Sequence, residues 1–216
     1  MGLRVITAPT DEPITLEEAK AHLRVTHSSE DDYILALVTA ARSMIENETH
    51  RALMSQTLEY TLDYFEPPLI YGQAIALRRP TVIELPRPPL RSVSLVTYLD
   101  GSGATATLHD TTGSPQVDDA LVLVNVLDDR LPGGIAPVAN GPWPATYDQL
   151  GAVAIRYVAG YGADGAGVPM PLIQAMKLAI GHWFEHRESV SETPSIAELP
   201  MGVQFLLNPY RVLSIV

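Results

Sequence analysis

Apolar positions along the chain change their period twice, from helical to alternating and back. In ITLEEAKAHLRV, residues 14 to 25, Leu16, Ala19 and Leu23 fall on one side of a helix. Thr15 can cap it and Glu18, three residues on, completes a capping box, so the pattern predicts a short helix over 15 to 24. After the break THSS, a second helix is expected from Ser29 to about residue 49. Glu30, Asp31 and Asp32 stand in its first turn, where the helix dipole favours acids. Ile34, Leu37, Val38, Ala41, Met44 and Ile45 form its apolar face. That acidic start lacks the spacing and glycine of a calcium loop.

From Gln56 the period shortens to two: Leu58, Tyr60, Leu62 and Tyr64 alternate with polar neighbours. Further strands are expected at 74 to 77, 81 to 85, 92 to 100, 104 to 109 and 120 to 127, and a strong one centred on 152 to 158. Asp100-Gly101 followed by Gly103 predicts a hairpin between Tyr98 and Thr105. Short strands joined by such turns favour antiparallel pairing. Between strands, LPRPPLRSV at 85 to 93 is read as extended chain leading into the next strand, with a ligand for a proline-binding domain as the alternative. Pro142 and Pro144 hold the chain extended around Trp143, whose large surface calls for an intramolecular groove rather than a sugar platform.

The helical period returns in PMPLIQAMKLAIGHWFEHRES. A helix is expected to start near Pro169 or Pro171, with Leu172, Met176, Ala179 and Trp183 as its stripe and Ile173, Ile180 and Phe184 widening it. Beyond Pro194 and Pro200 the tail VQFLLNPYRVLSIV keeps apolar residues to its last position and is expected to dock. The architecture expected is α+β: N-terminal helices in 1–54, an inserted antiparallel β region in 55–162 between the second and third main helices, and a C-terminal helix with a docking tail in 163–216. No internal repeat or low-complexity segment stands out.

Composition narrows the chemistry. The 216 residues are 46% hydrophobic, enough for a core without covalent staples. There is no cysteine, which removes disulfides, thiolate metal sites and thiol nucleophiles. A net charge of -11 repels a phosphate backbone and argues against sequence-specific DNA binding by this chain alone, while a surface that faces DNA without gripping it stays compatible. No run approaches the roughly 18 apolar residues of a bilayer span, and neither a membrane span nor a standard secretion signal is expected.

One stretch raises an enzymatic possibility. His182, Glu185 and His186 keep the H-x-x-E-H spacing of inverted zinc proteases, which on a helix sets two imidazoles one turn apart with a carboxylate nearby. A catalytic zinc also needs a third ligand. Glu188 points away on the same helix, Glu192 and Glu198 come later without a second acid-rich helix, and His22, His27, His50 and His109 have no local spacing to recommend them. The preferred reading is a helix boundary. The adjacent carboxylates Asp31-Asp32, Asp118-Asp119 and Asp128-Asp129 read as charged turns, and Gly160, Gly162, Gly165 and Gly167 miss the spacing of a phosphate loop. With no G-x-S-x-G elbow either, no catalytic, cofactor-binding or metal residue is assigned, and no cofactor is expected.

The order of segments resembles the head-tail connector, or neck adaptor, proteins of long-tailed bacteriophages and related prophage or gene-transfer particles, in particular the larger members with a β insertion. The resemblance is carried by ITLEEAKAHLRV at 14 to 25, LVTAARSMIENETHRALMSQTLEYTLD at 37 to 63, LPRPPLRSVSLVTYLDGSG at 85 to 103, WPATYDQLGAVAIRYVAGYG at 143 to 162, PLIQAMKLAIGHWFEHRE at 171 to 188 and LPMGVQFLLNPYRV at 199 to 212. It implies a non-enzymatic virion protein. Such a protein forms a ring, commonly dodecameric, binds the portal on one side and a neck stopper or tail-completion protein on the other, and lines the DNA passage without reading sequence or touching a membrane. The helices at 15 to 24, 29 to 49 and 171 to 187 would form the adaptor body and the 200 to 216 tail would contact the portal or a neighbour. Its place would be the virion neck, after assembly in the host cytoplasm. A zinc-dependent hydrolase using the HWFEH stretch, and a peptide-binding or assembly-chaperone module, are the alternatives.

Overall fold

The computed structural model describes residues 1–65, 82–112, 121–127, 131–138, 142–187 and 201–212. Two compact units divide the chain: residues 9–55 with 161–216, and residues 1–8 with 56–160. The fold is α+β, with helices gathered in the first unit and antiparallel strands in the second.

The helical unit begins with α1, Leu16–Leu23, where the capping box is made as its sequence predicts: the Thr15 hydroxyl accepts from the Glu18 N–H and the Glu18 carboxylate accepts from the Thr15 N–H. Helix α2 covers Asp31–Thr49. It starts later than Ser29, because the Ser29 hydroxyl is bonded to His27 Nδ1 instead of capping, while Asp31 pairs with Lys20 at 2.6 Å. Helix α3 is Met170–Glu185, entered through Pro169 and Pro171. Its stripe Leu172, Ile173, Met176, Ala179 and Ile180 packs with Ile34, Leu37, Val38, Ala41 and Ile45 of α2 into one apolar core. The tail returns as α4, Met201–Leu207, burying Val203 and Leu207 in that core.

Polar groups close this unit at its buried margin. Glu46, almost fully buried, accepts from the Leu53 N–H at 2.9 Å and pairs with Arg42 at 3.1 Å, and Arg42 also holds Glu12 at 2.7 Å. Arg51 donates to the Tyr210 carbonyl, and Val212 N–H to the Thr49 carbonyl, which stitches the tail to the end of α2.

In the sheet unit, β1 (Gly2–Thr7), β2 (Gln56–Leu62), β4 (Leu90–Leu99), β5 (Thr105–Asp110) and β8 (Val153–Ala159) form a five-stranded sheet in the order β1-β2-β8-β4-β5. Strands β3 (Ile83–Glu84), β6 (Leu121–Val124) and β7 (Gly134–Pro137) form a second sheet in the order β3-β7-β6. Every pairing among the described residues is antiparallel. The central strand β8 alternates buried and half-buried residues along its length, the signature of a strand packed on one face. The hairpin forms at Asp100 to Ala104, with Gly103 at φ 83 and Asp100 Oδ1 accepting from Ser102 and Ala104. Those bonds hold the exposed Asp100 carboxyl below the usual carboxylate range.

Two strands have no counterpart among the expected elements. Residues 2 to 7 are exposed on both faces and so lack alternation, and β7 is buried throughout. The expected strand at 74 to 77 lies outside the described residues.

Candidate functional site

The helix end that suggested zinc has a different geometry. His182 lies within α3, but the helix stops at Glu185, and His186 has left helical geometry at φ -115, ψ 76. Its Nδ1 meets the His182 carbonyl at 3.0 Å, a bond that requires a proton on that nitrogen, and the two rings lie 4.8 Å apart and tilted. His27 is bonded to Ser29, His50 ends α2, and His109 is buried on β5 against the Val93 carbonyl. Among the described residues, no group of three or more His, Asp or Glu side chains is placed to hold a metal ion. Glu188, Glu192 and Glu198 lie outside them.

Immediately beyond His186 the chain forms a clamp between helices. The Arg187 guanidinium lies 4.7 Å over the Tyr33 ring and 4.9 Å over the Phe184 ring, and it pairs with Glu30 at the start of α2. Tyr33 and Phe184 face each other at 6.1 Å. The polar residues of this stretch thus fasten α3 to α2.

The remaining motifs resolve into packing as well. Gly165 approaches the Pro13 carbonyl so closely that a Cβ would stand 2.0 Å from its oxygen, which gives the glycine loop a steric reason. The proline segment is held inside the sheet unit: Pro88 and Pro89 are buried, Gly160 N–H donates to the Pro89 carbonyl, and the Tyr157 hydroxyl donates to the Pro86 carbonyl at 2.7 Å. Burial pushes the Tyr157 hydroxyl well above the usual tyrosine range and outweighs the opposing field of Arg87, so it stays a neutral donor. Trp143 stacks on Phe65 at 4.7 Å, nearly parallel, and Tyr98 meets Phe65 edge-on. Asp31 is spent on Lys20, while Asp118, Asp119, Asp128 and Asp129 lie outside the described residues.

Exposed apolar surface is where the molecule departs from a self-contained domain. In the helical unit, Met201 and Phe205 project from α4 one turn apart. In the sheet unit, Leu3, Val5 and Ile6 stand exposed on β1, and Val122, Leu123, Val126 and Leu127 on β6 and the turn after it. Surface of this kind marks docking more often than chemistry. Composition predicts a strand over 120 to 127, of which 121 to 124 form β6 and 125 to 127 turn away, but it does not mark their exposure, and β1 leaves no periodic signal at all. No described helix is long and apolar enough to cross a membrane.

A family model described as phage gp6-like head-tail connector protein matches residues 13–77. Among solved structures, a chain in the virion of a native gene transfer agent particle superposes with a TM-score of 0.72 at 24% identity, covering 100% of this chain and 98% of its own. A chain in the neck of the empty particle, computed with C6 symmetry, gives 0.71 at 23% with the same coverage. One in the neck of the native particle, computed with C12 symmetry, gives 0.67 at 24%. Among curated proteins no sequence matches. The likeness to the head-tail connector family lies in the family model over residues 13–77, and a separate likeness of fold runs from end to end with chains of gene-transfer-agent particles.

Proposed function

We propose that this chain is a structural subunit of the neck of a tailed-phage-like particle. It assembles as a ring between the portal and the downstream stopper or tail-completion protein, and DNA passes through it. The observation that carries this reading is the end-to-end likeness of the fold to chains of gene-transfer-agent particles. Neck structures computed with C6 and C12 symmetry support a repeated arrangement, with twelve copies the number to seek first.

The physical logic is one of geometry. A subunit that carries two different exposed apolar faces can close a ring by heterologous contacts, and many modest interfaces add up once the ring is closed. A net charge of -11 per chain suits a conduit, since phosphates passing it are repelled and not retained. Activity as an enzyme forms no part of the proposal. The virion neck is the place proposed for the chain, reached by assembly in the host cytoplasm.

Light scattering on the purified chain, alone and with the portal of the same particle, tests the proposal. A species near twelve times 23.4 kDa, or a stable complex with the portal, is the expected result. A chain that stays monomeric and ignores the portal overturns it. Elemental analysis supplies the counter-test: one zinc per chain in protein purified without added metal would revive the hydrolase reading of His182, Glu185 and His186.

A further inference from the structure

We infer that the apolar edge made by β6 and the turn after it is a docking surface for a second copy of this chain, and that the segment received there is the neighbour's β1. The inference rests on the ring reading above and adds to it which faces meet.

Residues 121 to 127, LVLVNVL, contain no charged residue and no proline. Strand β6 is an edge strand of its sheet among the described residues, pairing with β7 alone. Val122 and Leu123 are neighbours on a strand and so point to opposite faces, yet both are exposed. Edge strands of soluble domains usually carry a lysine, a proline or a bulge that discourages pairing, and β6 has none of these.

The turn after β6 is more telling. Leu127 has φ 58, a left-handed conformation that suits Asn or Gly and penalises a bulky side chain. Its N–H is fixed to the Leu90 carbonyl at 2.8 Å, and the Asn125 side chain donates to the Pro132 carbonyl at 3.1 Å. A pinned backbone thus holds a leucine that is 62% exposed. Neither the fold nor the solvent gains from leucine at this position, whereas an apolar partner would.

A ring needs a second, different face. Strand β1 supplies it: among the described residues it is the edge of the five-stranded sheet, all six of its residues are exposed, and Leu3, Val5 and Ile6 are apolar. Its one charge, Arg4, is already paired with Glu59 of β2 at 2.7 Å, so docking strands no free charge. Two copies of β6 placed side by side are disfavoured by the chain itself, because residues 118, 119, 128 and 129 are all aspartates. Strand addition between β6 and a neighbouring β1 supplies main-chain hydrogen bonds and covers both apolar sets.

The lack of cysteine in the chain makes the test clean. Leu3→Cys and Val122→Cys are introduced separately and together in the full chain, and assembled material is oxidised mildly and run without reductant. The expected result is a ladder of covalent multimers from the double variant, dimers from a mixture of the two single variants, and monomer from either single variant alone. Cross-linking of Val122→Cys by itself would show β6 meeting β6 and overturn the proposal. So would a multimer of the expected mass that yields no ladder, an outcome that leaves the ring reading standing; a chain with no assembly, alone or on the portal, overturns both. As a second readout, Leu127→Asp should weaken self-association about tenfold or more without moving the unfolding midpoint, while Leu150→Asp, at a site 82% exposed elsewhere in the unit, should leave it unchanged.

Discussion

The helical unit and the sheet unit leave apolar surface in different places, the first at Met201 and Phe205 on α4 and the second along the edge strands β1 and β6. In the helical unit, α2, α3 and α4 turn their stripes onto one core, and the polar groups at its margin are bonded: Glu46 to the Leu53 N–H and Arg42, Arg51 to the Tyr210 carbonyl. The sheet unit buries the faces of β8 and β7 but leaves β1 and β6 with apolar side chains in solvent. A fold that completes its helical core and still leaves apolar side chains of α4, β1 and β6 in solvent is organised for association as well as for stability.

That contrast can be broken most forcefully at Met176, which is fully buried between α2 and α3. Met176→Ala should cost about 2–5 kcal/mol through a cavity, read as a lowered midpoint in denaturant unfolding. Glu46→Ala should cost about 3 kcal/mol, because it takes an acceptor from the buried Leu53 N–H and from Arg42 at once. If Glu46→Ala proves neutral, the margin of the helical unit is not held as described. Gly165→Ala should cost about 1–3 kcal/mol, since the new methyl meets the Pro13 carbonyl and backbone has to move.

The sheet unit should respond more weakly. Burial pushes the Glu59 carboxyl up, but Arg156 and Arg4 outweigh it and hold the group below its ordinary value. Its folded-state pKa is therefore the lower one. The stability it contributes is present above the unfolded value of about 4.3 and is lost as pH falls through the depressed folded value. Glu59→Gln should remove that acid-limb contribution, less than about 1 kcal/mol, and thermal melts from pH 6 down to pH 3 would show the two proteins converging. Smallest of all is Leu127→Asn: within about 0.5 kcal/mol of the parent in stability, since Asn tolerates the left-handed backbone, yet measurably weaker in self-association. A stability loss comparable to that of Met176→Ala would mean Leu127 packs within its own chain, and the contrast between the units would fall.

What the sequence determined by itself was most of what is specified within a turn or two of chain, though not the start of α2 or the end of α3. Thr15 and Glu18 cap α1, the apolar periods of α2 and α3 match their buried faces, and Asp100 to Ala104 closes the hairpin. These signals are local, because capping bonds and side-chain periodicity are set by residues three or four apart.

Tertiary structure decided what depends on distant partners. Residues 2 to 7 have no alternation to announce a strand, and they become one only because β2 offers its edge. Trp143 finds Phe65, Gly165 is required by Pro13, and the Arg187 beside the histidine pair is claimed by Tyr33, Phe184 and Glu30. The proposed docking site divides the same way. LVLVNVL reads as a strand from its composition, but whether such a strand is a core element or an exposed edge is fixed by sheet order, and pairing between distant segments is not encoded in either segment alone.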